Sequence, residues 1–104
     1  MTLKLQPNPT FTIPVPLSVP GQESKAVVQV TYRHLSVNGL RDFYSALSGK
    51  TNLDGLAEII TDIAAVDEPF SKEALGKLLD NYPRAGAELF EAYRNELLGA
   101  REKN

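Results

Sequence analysis

Residues 11–19 alternate strictly between apolar side chains at odd positions and threonine, proline or serine at even positions. Such period-two alternation predicts a half-buried β-strand. Pro14 and Pro16 lie at the same parity and lack amide donors, so the side of the strand towards which their nitrogens point must face solvent. The segment therefore predicts an edge strand whose outer side is protected against unwanted pairing.

A second strand is predicted over residues 26–35, after a turn signal at residues 20–24. The predicted register joins the apolar faces of the two strands, with a loop of about six residues between them. In this register Leu17 pairs with Val28, Val15 with Val30 and Ile13 with Tyr32. A lone hairpin is marginally stable in water, so the helices or a second copy of the chain must cover its apolar face.

Beyond residue 38 the apolar spacing changes to three and four, which predicts about four amphipathic helices over residues 38–99. The predicted caps are Ser36 or Asn38, Thr51 or Asn52, and Ser71 at the N-termini, with Gly49 and Gly99 as helix ends. The second helix is predicted to extend through Ile63 and to end before Pro69. Pro83 suits the first position of the fourth helix.

Together these elements predict an α+β fold, in which an N-terminal antiparallel β-hairpin (residues 10–35) precedes about four packed α-helices (residues 38–99). The length of 104 residues fits a single domain. We assign this domain to residues 10–104 and interpret residues 1–9, which hold two prolines, as a flexible N-terminal arm.

The composition disfavours several classes of function. The net charge of −2 is too small to predict a nucleic-acid partner. The absence of cysteine excludes disulfides and thiolate zinc sites, and it fits a reducing cytoplasm. No apolar run approaches the roughly 18 residues of a membrane span, and the N-terminus lacks the pattern of a signal peptide. We therefore predict neither a nucleic-acid nor a membrane partner.

No pattern of residues predicts a catalytic, cofactor-binding or metal site. His34 is the only histidine, and no serine and carboxylate are spaced to form a triad with it. Asp62, Asp67 and Glu68 cluster near the end of the second predicted helix, but the glycine and distal glutamate of a calcium loop are missing. An enzyme is thus disfavoured, and the function has to reside in a surface.

The third and fourth predicted helices meet at residues 81–84, which invites comparison with a helix-turn-helix. The would-be recognition helix carries three glutamates against two arginines, and this balance opposes phosphate contacts. Tyr82, Phe90 and Tyr93 are either core aromatics or interface anchors. The core is the default, although tyrosines are common in binding hot spots.

Several local phrases, spread over residues 10–104, carry a resemblance to a known family. They are Phe-x-Ile-x-Val in the first strand, Tyr32-Arg33-His34, Leu40-Arg41-Asp42-Phe43, Asp67-Glu68-Pro69-Phe70-Ser71, Leu78-Leu79-Asp80-Asn81-Tyr82-Pro83-Arg84-Ala85 and Ala92-Tyr93-Arg94-Asn95-Glu96-Leu97. In this order they resemble the small tail assembly chaperones of long-tailed bacteriophages and prophages. The chain departs from these relatives at residues 64–66, where they often carry a tryptophan.

The resemblance implies a non-enzymatic role without cofactors. Such chaperones bind the tape measure protein, a long and aggregation-prone helical chain, and keep it soluble until tail tube subunits polymerise around it. They act in the cytoplasm of the bacterial host and are absent from the finished virion. The implied partner is the tape measure protein. The tail tube protein and a second copy of the chain are further candidate partners. Many such genes also give a longer frameshifted product, with which the Lys103-Asn104 ending is compatible.

The expected partner-binding surface consists of apolar side chains that the fold leaves exposed. We predict Tyr82, Phe90, Tyr93 and Leu97, together with the open edge of the hairpin. Helix-in-groove contacts and strand addition are both open as binding modes. The alternative function is a structural tail component that remains in the virion or self-assembles, and a generic adaptor is a third interpretation.

Overall fold

The computed structural model describes residues 2–99; Met1 and residues 100–104, including the Lys103-Asn104 ending, lie outside the described residues. In chain order the elements are β1 (Thr10–Leu17), β2 (Ala26–Arg33), α1 (Val37–Leu47), α2 (Asn52–Ile59), β3 (Ile60–Ala64), α3 (Lys72–Asn81) and α4 (Ala85–Leu98). The strands form one antiparallel sheet in the order β1-β2-β3. The predicted α+β class, with an N-terminal hairpin followed by helices, is confirmed.

The register of the β1–β2 hairpin differs from the prediction by two residues. Val15 pairs with Val28, and the connection spans residues 18–25, which is longer than predicted. A shift of two residues keeps every side chain on its own face, so the hydrophobic pattern cannot distinguish the two registers. Ser18, directly after β1, does not pair with β2 and instead donates to the Glu88 carboxylate of α4.

β1 is an edge strand, as its prolines predict. It pairs with β2 on one side only, where Pro14 and Pro16 stand opposite Gln29 and Val27. A residue without an amide donor fits such a ladder where its nitrogen points away from the partner strand, so the missing donors fall on the outer edge. The other edge of the hairpin is not open, contrary to the prediction, because β3 pairs with β2 along it.

The segment Ile60–Ala64 is a strand, whereas the predicted second helix continued through Ile63. The helix α2 ends at Ile59 instead. A β-bulge accounts for the error, because Thr61 is an extra residue relative to β2. The bulge lets Ile60 and Ile63 both face the core although they are three residues apart, and this spacing imitates that of a helix. The run of β-branched side chains favours the strand.

Side-chain caps begin three helices where the sequence predicts them. The hydroxyls of Ser36, Thr51 and Ser71 each accept the N–H of the residue three positions on, at 3.0, 3.1 and 3.0 Å. α4 ends at Gly99, whose φ of 65° favours glycine. Pro83 does not begin α4, which starts at Ala85. The Ala85 N–H donates to the Tyr82 carbonyl at 2.9 Å, and this bond closes a turn that contains Pro83.

The core lies between the inner face of the sheet and the helices. Its largest fully buried side chains are Tyr32, Tyr93, Leu56, Ile59, Leu75, Leu89, Val15 and Val30. The ring centroid of Tyr93 lies 5.0 Å from that of Tyr32 and 6.1 Å from that of Phe11. The Tyr32 hydroxyl donates to the Leu89 carbonyl at 2.7 Å, and the Tyr93 hydroxyl donates to the Arg33 carbonyl at 2.8 Å. Burial raises the pKa of both hydroxyls, so they stay protonated and keep α4 bonded to the sheet.

Ala65, directly after β3, has a φ of 72°, and a side chain in this left-handed region costs roughly 1–2 kcal/mol. Ala65→Gly is therefore expected to raise the free energy of unfolding by about 0.5–1 kcal/mol, because the greater entropy of the unfolded glycine chain offsets part of the relief. Urea denaturation measures this change. Ala64→Gly, one residue earlier and inside β3, is the control and should lower the same quantity by about 0.5–1 kcal/mol. A loss of stability in both variants would contradict the assignment of strain to Ala65.

Candidate functional site

An open groove of about 410 Å³ lies between the loop end of the β1–β2 hairpin, the β3–α3 connection and α3. We call it the hairpin–α3 groove. Leu17, Val28, Ile63 and Leu75 form its buried floor, and Val66, Phe70, Leu78 and Tyr82 form its walls. The volume falls within the range of roughly 300–1,000 Å³ that is usual for binding pockets.

The walls of the groove present apolar surface that the described part of the chain leaves uncovered. Val66 keeps 40% of its surface exposed, and Phe70, Leu78 and Tyr82 are half-buried. Covering apolar surface stabilises a complex by roughly 25 cal/mol per Å², and clustered exposed apolar side chains often mark protein contacts. An open apolar groove beside a helix suits the apolar face of an amphipathic helix.

Three charged side chains line the groove. Asp67 and Glu68 lie in the β3–α3 connection, and Lys77 lies on α3. Lys77 Nζ is 3.1 Å from Glu68 Oε1, whereas Asp67 has no ion-pair partner among residues 2–99. Two carboxylates against one ammonium leave a net negative charge. The groove therefore favours a ligand with basic groups beside its apolar face.

Glu88 of α4 holds the loop end of the hairpin, where Leu17 forms part of the groove floor. Its carboxylate accepts the Ser18 N–H at 2.9 Å and the Ser18 hydroxyl at 2.5 Å, and the Lys25 ammonium lies 3.5 Å away. The Glu88 side chain is only 12% exposed. Because Ser18 and Lys25 stand at the two ends of the β1–β2 loop, one carboxylate fixes both ends relative to α4.

The stability of the fold should depend on the ionisation of the Glu88 carboxyl. Burial alone would raise its pKa, but the hydrogen bonds from Ser18 and the charge of Lys25 outweigh burial and hold the pKa below the ordinary value of 4.5. A carboxyl whose pKa is lowered by folding stabilises the protein above its unfolded-state pKa, and this contribution is lost as the pH falls through the folded-state pKa.

We therefore expect wild type to be more stable than Glu88→Gln at neutral pH, and the difference to shrink as the pH falls below 4.5. Urea denaturation across this range measures both free energies of unfolding. Glu91→Gln, at an exposed position of the same helix, should differ little from wild type. A wild-type advantage over Glu88→Gln that does not change with pH would show that the ionised carboxylate is not the stabilising species.

The four side chains predicted to bind a partner lie in different surroundings. Tyr82 lines the groove and is half-buried. Phe90 and Leu97 are half-buried against the core. The Phe90 ring packs over Gly55 so closely that a Cβ atom on residue 55 would lie 3.2 Å from Phe90 Cζ. Tyr93 is 0% exposed, so the expectation that it is a surface side chain is wrong. Partner binding by Tyr82, Phe90 and Leu97 stays a prediction.

Apart from Tyr82, the residues that line the groove were not predicted from the sequence. They come from segments far apart in the chain, namely the hairpin, the β3–α3 connection and α3. The one available signal was Val66, an apolar residue next to the acidic pair Asp67-Glu68. A predicted helix over residues 60–63 hides this signal, because the connection that presents Val66 begins only after β3.

The residues considered for catalysis or metal binding occupy ordinary structural positions. The ring of the half-buried His34 lies edge-on to Phe11 at 6.4 Å. Asp62 belongs to β3, and Glu68 pairs with Lys77. Among residues 2–99, no three histidine, cysteine, aspartate or glutamate side chains are grouped so that they could hold a metal ion. Over the same residues, no helix combines the length and the apolar character needed to cross a bilayer.

A model of the phage tail assembly chaperone family matches residues 1–104, the whole sequence. The chain belongs to this family. The resemblance drawn from local phrases is thereby confirmed. Comparisons of this chaperone with curated proteins and with solved structures gave no significant match. In a tail assembly chaperone, an uncovered apolar groove is the first surface to test for partner binding.

Proposed function

We propose that this chain binds the tape measure protein in the cytoplasm of the bacterial host and keeps it soluble until the tail tube protein assembles around it. The chain acts by binding, without a catalytic step, and leaves before the virion matures. The observation that carries the proposal is the apolar hairpin–α3 groove in a member of the tail assembly chaperone family.

The groove suggests how such a chaperone would act. A long helical chain exposes apolar stripes that aggregate when they meet one another. A stripe laid against Val66, Phe70 and Leu78 would be shielded from other chains. The net negative charge of the groove would favour stretches in which lysine or arginine flanks the stripe. Binding of this kind needs no reaction at the site, only a surface that the tube subunits can later replace.

The test is co-expression of this chain with the tape measure protein, followed by affinity capture of the soluble fraction. We expect Val66→Asp to lower capture by about tenfold or more, because a desolvated carboxylate against an apolar stripe costs at least about 1.4 kcal/mol. Val37→Asp is the matched control. Val37 is 73% exposed, so the same substitution is made at an exposed position outside the groove.

Circular dichroism of the two variants separates binding from folding, since both valines lie at exposed positions and both variants should melt like wild type. Equal loss of capture in the two variants would place the binding surface elsewhere. A tape measure protein that stays soluble without this chain would overturn the proposed function itself. Recovery of the chain from purified virions in structural amounts would favour a tail component instead.

A further inference from the structure

The N-terminal arm, residues 2–9, carries the two most exposed large apolar side chains among residues 2–99. Leu3 is 84% exposed and Leu5 is 95% exposed, with Lys4 between them. The backbone bends at Leu5 and Gln6 in this structure. When the arm straightens, residues two positions apart point to the same side, about 7 Å from each other. The arm therefore offers a face of two leucines that the described part of its own chain leaves uncovered.

The hairpin–α3 groove complements this arm in two respects. Its apolar walls and floor suit leucine side chains, whose burial favours a contact in water. Lys4, whose ammonium donates to Asn8 Oδ1 at 2.5 Å within the exposed arm, adds a positive charge beside the leucines. Asp67 of the groove has no ion-pair partner among residues 2–99. The arm and the groove are therefore complementary in apolar surface and in charge.

The arm does not occupy the groove of its own chain in this structure. Leu3 and Leu5 both lie in solvent, and the walls of the groove stay open. A second copy of the chain brings an identical arm to this groove.

We propose that the arm of one copy occupies the hairpin–α3 groove of a second copy. The contact joins unlike surfaces, the arm of one copy and the groove of the other. A docked arm covers the walls that the tape measure protein would use, so the two ligands exclude one another. That competition rests on the proposed function, whereas the contact between copies does not.

The absence of cysteine from the chain allows a direct test by disulfide trapping. Leu5→Cys and Val66→Cys chains that carry different tags are mixed and oxidised, and the mixed disulfide is isolated. Docking brings these thiols to a high effective concentration, so we expect a yield on the order of a hundredfold above that of the control pair, Leu5→Cys with Val37→Cys. Val37 is more exposed than Val66 but lies outside the groove. Equal yields from the two pairs would overturn the proposal.

Size-exclusion chromatography with light scattering gives an independent measurement. We expect the full chain to have a mass above that of one copy, and the Leu3→Ser/Leu5→Ser variant to have the mass of one copy. The circular dichroism spectrum should stay unchanged, because both leucines are exposed within the single chain and the fold of one copy does not depend on them. A wild-type monomer at high concentration, or an assembly that survives the double substitution, would overturn the proposal. Capture of the tape measure protein is scored separately, so its failure counts against the proposed function and not against the arm contact.

Discussion

The Tyr93→Ala variant is expected to lose about 4 kcal/mol of unfolding free energy, as large aromatic side chains do when they are removed from a core. Tyr93 has 0% of its surface exposed, its ring stacks on Phe11 and contacts Tyr32, and its hydroxyl donates to the Arg33 carbonyl. Alanine would leave a cavity between α4 and the sheet. Since domains are stable by only about 5–15 kcal/mol, urea denaturation followed by circular dichroism should show a large shift in midpoint.

Tyr93→Phe is the matched control, because it keeps the ring and removes only the hydroxyl. Its cost should be about 1–2 kcal/mol, which is the usual value for a lost buried hydrogen bond. The prediction would be contradicted if Tyr93→Ala kept the wild-type denaturation midpoint but captured less of the partner. That result would make Tyr93 an interface anchor, in agreement with the sequence-based hypothesis and against its burial in the structure.

Leu89→Ala is the second substitution for which a large effect is expected, at about 3 kcal/mol of unfolding free energy. Leu89 is 0% exposed on the face of α4 that packs against the core. The leucine side chain fills space that its neighbours cannot close without moving the helix. The loss therefore combines the transfer of apolar surface with a residual cavity.

Leu98→Ala makes the same chemical change near the end of the same helix, where the side chain is 54% exposed. We expect a change within about 0.5 kcal/mol, as is usual for surface positions. Denaturant midpoints measured side by side test the pair. Similar costs at Leu89 and Leu98 would mean that α4 does not present the face that the structure assigns to the core.

Features that depend on neighbours within a few residues were predictable from the sequence. The capping hydroxyls of Ser36, Thr51 and Ser71 bind backbone groups three positions away, so their local sequence is enough to predict them. The edge position of β1 was predictable for a similar reason, because Pro14 and Pro16 lack donors wherever the strand is placed.

Features that depend on a partner strand were not predictable in this way. The bulge at Thr61 exists only relative to β2, and it gives Ile60 and Ile63 a spacing that a helix would also have. The parity of the apolar residues does not determine the hairpin register, because registers that differ by two residues give the same faces. In the observed register Ser18, directly after β1, bonds to Glu88, which lies 70 positions away. No periodicity within a single segment carries that information.

The candidate site likewise combines features that local sequence predicts with features that depend on distant residues. Periodicity placed Phe90, Tyr93 and Leu97 near one face of α4, but it could not say whether that face meets the core or a partner. The structure buries Tyr93 completely and the other two in part. Tyr82 lies in the groove because the turn at Pro83 places it at the end of α3. Predicting the groove requires the position of β3, and the sequence pattern predicts a helix there instead of a strand.

The bonds between β2 and α4 also constrain the order of events during synthesis. Tyr32 binds the Leu89 carbonyl and Tyr93 binds the Arg33 carbonyl, across 57 and 60 residues of chain. On the ribosome, the hairpin emerges before α4, so neither bond can form until α4 has been synthesised. The nascent chain therefore passes through a stage in which it exposes an uncovered apolar face of its own.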